Sequence, residues 1–428
     1  MGRRPRAAYD HRVLALSVGL QLALGLLLGH ANDTRVFMAT GWLVAHGRDP
    51  YVALDLSRHF HHAGFSVIKS VGYPPPWPLL TGLIYAGAHA VSGSFLLYNL
   101  ALKLPVIAAN VGLAYLVAAV LRDRGATPAT CRWAWTFLLL NPFLLYVGAA
   151  WGEIDALVAL LALAALWLLS HRRLEASALL LALAACVKPT ALPLLAAAVL
   201  ALSGESLLRA ARYAVVCLAG VALFYVAPFF AFGWSRAPFT HRLNAHLVLQ
   251  GSLSFMTVVR LVRVPPLTQG HWWLLGLLWL PALACAVLLA GRGDGSFEDL
   301  LARGTAFVLV VFLTRSWLAE PDVVLVLPPA LVLTCLGVVE RRALTALWLL
   351  PLVFTVFNAS PLQLLWVTFP GLTTRLLGDA GRIAGLTLDV RAALVVVWQV
   401  TGWWIVVACL RRRAGVPSEA KTLSEAPA

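Results

Sequence analysis

Charge is scarce in this chain. Charged residues make up 12% of its 428 residues and hydrophobic residues 61%, whereas a soluble domain carries about 25% charge. Acids are scarcer still, with 19 Asp and Glu against 33 Lys and Arg and a net charge of +14. This balance excludes an ordinary soluble domain and fits a polytopic membrane protein. The basic excess does not point to nucleic acid. The arginines punctuate the chain between apolar runs, as cytoplasmic loops do. Six cysteines (131, 186, 217, 285, 335 and 409) lie in or beside apolar runs, and no CxxC occurs. A disulfide framework and a zinc site are therefore not indicated, and buried thiols are expected. There is no GxxxxGK[ST], and no GxGxxG before a plausible helix, so direct use of ATP or a dinucleotide is not expected. No soluble domain and no fixed-period repeat is visible.

What is there is a succession of apolar runs. The basic segment MGRRPRAAYDHR (1–12) precedes Val13–Gly29, a 17-residue run. Gly29-His30-Ala31 makes a poor cleavage site, so an uncleaved anchor is expected rather than a signal peptide. The basic flank keeps residues 1–12 cytoplasmic and delivers Asp33 to the outside. Residues 77–91 are short and begin with Pro74-Pro75-Pro76-Trp77-Pro78. They read as an interfacial or re-entrant helix within one large extracytoplasmic loop, 30–98. Further spans are expected at 100–121, 133–150, 156–169, 177–187, 191–201, 213–232, 272–290, 305–314, 323–339, 343–357 and 392–410. An outer loop is expected over 359–390. The expected fold is an all-α polytopic integral membrane protein with about twelve transmembrane helices, both termini inside. The chain divides into a catalytic membrane module (13–232), an extracytoplasmic loop (233–270), a C-terminal transmembrane module (271–410) and a disordered cytoplasmic tail (411–428). In this arrangement every Arg pair in a short loop lands on the cytoplasmic side.

The same topology gathers another set of polar residues on the outer face: Asp33, Arg35, Asp49, Glu153, Asp155, Lys188, Arg242, His246, Arg315, Glu320 and Asp322. Ionisable groups beside apolar helix ends are costly unless paired or set in a watery cavity. Trp151-Gly152-Glu153-Ile154-Asp155 holds two acids between two spans, and Lys188-Pro189 sits at the tip of a hairpin of short helices. Helices broken at charged residues line cavities. Carboxylates with Lys and Arg at the membrane surface suit a lipid-linked phosphate ester: cations hold the phosphate, and a carboxylate deprotonates an attacking hydroxyl. Structural readings also exist. Glu153 and Asp155 suit the N-terminus of the helix at 156, Lys188 a snorkelling position, and Arg315 with Glu320 an ion pair. Lys103 reads as a partner for Asp33 or a phosphate contact. His59, His61 and His62 read as a solvated loop, Tyr73 with its prolines as a turn former, and the Trp clusters (77, 133/135, 272/273, 403/404) as interfacial anchors.

The order of GYPPPWPLL, LKLPVIAAN, NPFLLYVGAAWGEIDALVALLALAALWLL and ALAACVKPTALPLL resembles the GT-C superfamily of polyprenyl-phosphate-sugar-dependent glycosyltransferases. Its mannosyltransferase-like branch is the nearest likeness. The NP…WGxxD…KP run carries most of the resemblance, which covers residues 13–232. It implies that Asp33 is the catalytic base and that Glu153 and Asp155 form the second acidic motif. It also implies an inverting transfer of a hexose, mannose above others, from a polyprenyl phosphate to a glycolipid or polysaccharide acceptor. Lys188, Arg315, Arg242 and Lys103 are the candidate donor-phosphate residues. Glu153, Asp155, Glu320 and His246 are the candidates for sugar or acceptor. Many members carry two acids at the first position. Asn32-Asp33 is a single acid, so no metal and no other cofactor is expected. The expected partners are the donor, the acceptor and the bilayer, with no nucleic acid. The expected place is the cell membrane, with the active site extracytoplasmic. Two other classes compete: a lipid-linked-sugar flippase or transporter, for which inverted repeats are missing, and a non-catalytic membrane subunit, which activity alone separates from an enzyme.

Overall fold

The computed structural model describes residues 9–62, 64–66, 71–237, 239, 240, 249, 251–262, 272–291, 293 and 295–411. Arg242, His246 and all but the first residue of the expected tail 411–428 lie outside the described residues. The apolar runs become helices because a backbone surrounded by apolar groups must satisfy its own hydrogen bonds. In chain order these are α1 (His11–Leu27), α2 (Asp33–Ala45), α3 (Pro76–Val91), α4 (Phe95–Asp123), α5 (Pro128–Leu140) and α6 (Pro142–Leu144), which runs on into a π-helical stretch, Leu145–Trp151. Next come α7 (Asp155–Ser170), α8 (Leu174–Val187), α9 (Pro193–Glu205), α10 (Leu207–Val221), α11 (Ala227–Ala231) and α12 (Met256–Leu261). The C-terminal part holds α13 (Trp272–Gly276), α14 (Trp279–Ala290), α15 (Phe297–Thr314), α16 (Leu327–Cys335), α17 (Arg341–Phe357), α18 (Ser360–Leu364), α19 (Pro370–Leu386) and α20 (Leu388–Arg411). Two short strands, β1 (Gly251–Ser252) and β2 (Trp317–Leu318), pair in parallel.

Among the described residues, four helical stretches are long and apolar enough to cross a membrane: 95–123, 128–151, 207–231 and 388–411. A bilayer core takes about 20 helical residues. Five shorter apolar helices lie beside them, at 11–27, 155–170, 174–187, 189–205 and 274–290. The centre is α4, which packs against α1, α3, α5 and α7. It is capped by Ser94, whose hydroxyl accepts from Leu97 N, and Pro105 is accommodated within it. Farther along the chain, α7 packs on α8, α8 on α10, α9 on α15, and α15 and α17 on α20.

The basic segments meet at one end of the bundle. Arg124 pairs with Glu298 at 3.3 Å and His171 approaches Asp123 at 3.7 Å. Arg172 and Arg209 share Glu205, Arg122 lies over Tyr9, and Arg341 lies over Trp133. The opposite end carries Asp33.

Three expectations are corrected. Residues 359–390 are not a plain loop: they hold α18 and α19. α19 is amphipathic rather than uniformly apolar, so a search for apolar runs passes over it. Residues 33–45, which open the expected first loop, are helical as α2. Trp77 and Trp135 are fully buried, so they are core residues rather than interfacial anchors. Trp403 and Trp404 are exposed.

The feature that fixes the Asp33 end is the close of α1. A helix that ends inside a protein leaves its last carbonyls without partners. Here α4 supplies them. Asn99 Nδ2 donates to the carbonyls of Gly25, Leu26 and Leu28 at 2.6, 3.2 and 3.0 Å. One turn on, the Lys103 ammonium donates to Leu28 O and to Ala150 O, the latter at 3.0 Å. Replacing Asn99 by Leu leaves the carbonyls of Gly25 and Leu26 short of a side-chain donor, while Lys103 still serves Leu28. The replacement is expected to cost about 1–3 kcal/mol, read as a lower thermal unfolding midpoint in detergent, with Asn99→Gln less damaging than Asn99→Leu.

Candidate functional site

The Asp33 end is built where helices stop. After α1 the chain runs extended through Gly29, whose N–H donates to Leu364 O at 2.8 Å. Ala31 N donates to Gln363 O at 3.1 Å, and the side chains of Asn32 and Gln363 meet at 3.4 Å. The connection is thereby pinned to α18, more than three hundred residues later. Then α2 begins at Asp33, where the helix N-terminus favours a carboxylate.

Asp33 has two neighbours on one oxygen. Trp151 Nε1 donates to Oδ2 at 2.8 Å, and His30 Nδ1 lies 2.8 Å from the same atom. The His30 ring stacks on the Trp151 indole, centroids 4.3 Å apart and planes 17° from parallel. His30 is buried, while the Asp33 side chain keeps 33% of its surface exposed. Burial works against the Asp33 charge, yet His30 and the indole hold its carboxyl below the ordinary carboxylate range. Trp151 owes its position to the π-helical stretch and to Gly152, at φ +97°. That left-handed turn favours glycine, and a Cβ there would stand 2.9 Å from Lys103 Cε.

Beyond Gly152 stand the two acids of the WGEID run. Glu153 is buried and accepts from Tyr73 OH at 2.9 Å. Burial, together with the charge of Asp33, pushes its carboxyl well above the ordinary range. Adjacent acids of which one stays ionised while the other is driven neutral are a recurrent arrangement at reacting sites. Asp155, first residue of α7, is fully buried and takes both its oxygens to Lys188 Nζ, at 2.8 and 2.9 Å. The same ammonium reaches Asp322 Oδ1 at 2.7 Å. Lys188 sits where α8 stops, between Val187 and Pro189, so the Lys-Pro break aims the side chain inward. Glu320 is buried and accepts from Asn358 Nδ2 at 3.1 Å. Asn358 in turn accepts from Arg391 Nη1 at 3.2 Å.

The structure therefore brings Asp33, Glu153, Asp155, Lys188 and Glu320 to one end, and distinguishes their surroundings. Lys188 is shared between two carboxylates. Lys103, 2% exposed, spends its hydrogen bonds on backbone carbonyls rather than on Asp33. Arg315 caps the end of α15, half-buried and with no ion-pair partner among the described residues. Glu320 meets Asn358 rather than Arg315. Arg35 donates to Gly64 O at 3.0 Å and to Asn32 Oδ1 at 3.1 Å. Arg242 and His246 lie outside the described residues. Of the loop histidines, His62 Nε2 meets Val367 O at 3.2 Å and His59 packs on Trp42. Among the described residues no group of three or more His, Cys, Asp or Glu is arranged to hold a metal. Sequence reasoning missed His30, Tyr73, Asp322 and Asn358 as partners of the acids. Only His30, three residues before Asp33 at a helix end, left a local signal.

Two comparisons bear on this end. Residues 30–204 match a family model described as alpha-(1->6)-mannopyranosyltransferase, N-terminal domain. The fold is similar to that of ArnT from Cupriavidus metallidurans, a structure described as bound to undecaprenyl phosphate, with TM-score 0.51 and 17% identity, covering 94% of this chain and 76% of that one. No curated protein matches the chain. The likeness to the GT-C superfamily and its mannosyltransferase-like branch, read from the sequence, is borne out by the family match and the fold. With its apolar helices, the chain is a multi-pass membrane protein.

The Lys188 cluster makes a stability prediction. Lys188→Met leaves Asp155 and Asp322 buried and unpaired, at a cost of about 3–5 kcal/mol. Adding Asp155→Asn to Lys188→Met is expected to return part of that loss, since the second change removes a stranded charge. Thermal unfolding of the single and double variants in detergent measures the coupling, and additive losses would contradict it.

Proposed function

We propose that the protein is a membrane glycosyltransferase that moves a hexose, mannose in the first instance, from a polyprenyl phosphate to a hydroxyl of a glycolipid or polysaccharide acceptor. The observation that carries this reading is the placing of Asp33. It is a partly exposed carboxylate at a helix N-terminus, met by the Trp151 indole and by His30, inside the stretch matched by the mannopyranosyltransferase model. The undecaprenyl phosphate bound to ArnT, whose fold this chain resembles, supports a polyprenyl-phosphate donor. The reaction is an inverting displacement. The acceptor oxygen forms a bond to the anomeric carbon and gives its proton to Asp33. The bond from that carbon to the phosphate oxygen breaks, and the electron pair leaves with the polyprenyl phosphate. Arg315, the half-buried cation without a carboxylate partner among the described residues, meets the developing phosphate charge. Lys188 holds Asp155 and Asp322 in place. Glu153, neutral, donates to the sugar.

In this reading about twelve spans cross the membrane, with α3 lying at its surface. The Asp33 end faces out of the cell and the arginine-rich end faces the cytoplasm. The loop charges support this orientation. Arg242 and His246 keep their proposed contacts with donor phosphate and acceptor. No resident metal or other cofactor takes part. A flippase needs no proton acceptor at its mouth, and a non-catalytic subunit needs no ionised one. The contrasting acids at 33 and 153 therefore favour the enzyme.

Purified protein incubated with a panel of radiolabelled polyprenyl-phosphate sugars and membrane lipid extract is expected to form a donor-dependent glycosylated product. Asp33→Asn is expected to cut the rate roughly 10²–10⁴-fold, with the protein still inserted and folded. Unchanged transfer by Asp33→Asn would remove Asp33 from the reaction. Sugar movement across vesicles without any product would favour the flippase.

A further inference from the structure

Trp151 and His30 both meet the Asp33 carboxylate at one oxygen. Oδ2 receives the Trp151 indole at 2.8 Å and lies 2.8 Å from His30 Nδ1. The indole and the imidazole are locked to each other by the 4.3 Å ring stack. His30 is itself fixed at the backbone, where its N–H donates to Trp151 O at 3.4 Å. Its carbonyl accepts from Thr34 N, the second residue of α2, at 3.0 Å. Thr34 Oγ1 donates to the same Trp151 carbonyl at 3.4 Å. A buried imidazole clamped on two sides and aimed at a carboxylate at a helix N-terminus is a constrained arrangement. A general base whose proton acceptor must point at one hydroxyl benefits from such fixing.

We propose that His30 is the positioning residue of Asp33: with Trp151 it occupies Oδ2 and turns Oδ1 into the oxygen that takes the acceptor's proton. The proposal rests on the transfer reading for its chemistry, and on the His30–Asp33–Trp151 geometry for its residue. It differs from a metal-supported acid, because the second contact on the carboxylate is an imidazole three residues earlier in the chain. The groups that face this unit are Glu153 and Tyr73, which meet each other, Arg35, on which the Asp33 charge acts, and Glu320, on which the His30 charge acts. Of these, Arg35 and the hydrogen bond of Glu153 add to the support that His30 gives the Asp33 charge.

The test compares His30→Ala and His30→Asn, the second of which keeps a side-chain N–H donor. His30→Ala is expected to lower kcat by about 10–100-fold with little change in KM. It is also expected to move the acid limb of the pH–rate profile up by roughly one unit or more, because an opposite charge or donor removed from a carboxylate raises its pKa by about that much. His30→Asn is expected to restore most of kcat and to place the limb between the two. A limb unmoved in His30→Ala, or a His30→Asn protein no better than His30→Ala, overturns the proposal. If His30→Ala does not fold, the displaced limb of His30→Asn carries the test alone. A second readout needs no transfer: the acid transition of Trp151 fluorescence, taken as the difference between the full chain and Trp151→Phe. It is expected to shift upward in both His30 variants. A wild type that titrates in this way but transfers no sugar sinks the transfer reading and leaves the positioning role standing. A fluorescence transition that His30→Ala does not move sinks the positioning role whatever the activity.

Discussion

Helix α1 stops in the interior, and the carbonyls of its last turn have to be satisfied there. A carbonyl buried without a donor costs more than a formed hydrogen bond contributes in net stability. The solution is two polar side chains, one turn apart on α4. Asn99 and Lys103 together take Gly25, Leu26, Leu28 and Ala150. Because Lys103 bridges Leu28 and Ala150, it ties the end of α1 to the π-helical stretch that delivers Trp151. The same cation thereby fixes both sides of the Asp33 carboxylate: the chain that carries it and the indole that donates to it. This is a supporting role for a lysine whose composition alone suggested phosphate binding. It also explains why the helix can place a lysine in its apolar middle, since donors and carbonyls meet there without a free charge facing lipid.

The acids at this end outnumber the basic side chains that contact them. Asp155 and Asp322 meet Lys188, and Asp33 meets His30. The arrangement is stable because the carboxyls are not treated alike. Asp155 and Asp322 share one ammonium at 2.8 and 2.7 Å, which neutralises most of their mutual repulsion. Glu153 and Glu320 are held toward the neutral form by burial, and each has a neutral partner, Tyr73 or Asn358. Asp33 alone combines a helix N-terminus, an indole donor, a close imidazole and open surface. Burial, pairing and solvent together divide one acidic cluster into two aspartates sharing one lysine, two glutamates pushed upward by burial and one aspartate held below its ordinary range.

Much of this was legible in the NP…WGxxD…KP run, and each residue has a physical reason to be there. Asn141 caps α6, accepting from Phe143 N and Leu144 N at 2.9 and 3.3 Å. Trp151 donates to Asp33, Gly152 makes the left-handed turn, Asp155 meets Lys188, and Pro189 ends the helix that Lys188 terminates. Local spacing reveals these because they are turns and caps. The gathering of Arg122, Arg124, Arg172, Arg209 and Arg341 at the other end was legible too, from charge alone. What stayed hidden was long-range or not apolar. Gln363 and Leu364 clamp residues 29–32 across the whole chain, and no pattern within either segment announces the other. α2 and α19 are amphipathic and interrupted by polar residues, so hydropathy reads them as loop. The breaks at 145–151 and 189–191 shorten the regular helices, which is why span counting from apolar runs drifts at those places.

A carboxylate held below its ordinary range is a weaker base, and this is a difficulty for a group proposed to take a proton. Basicity and ionisation trade against each other. The chemistry of the transfer shifts the balance. A sugar phosphate leaves with its electron pair on a phosphate oxygen, and the sugar carbon gains cationic character before the acceptor oxygen is fully bonded. As that oxygen bonds to an electron-poor carbon its proton becomes acidic, so a weak base accepts it late in the step. What the step needs from Asp33 is that it be ionised at every working pH and aimed at one point. A helix N-terminus, an indole and an imidazole on a single oxygen supply those two properties and sacrifice intrinsic basicity, the one property that late proton transfer does not demand. The same trade explains why Glu153, a stronger base by its raised range, is buried against Tyr73 and kept from the open surface: a carboxyl pushed toward its neutral form is less available as a proton acceptor.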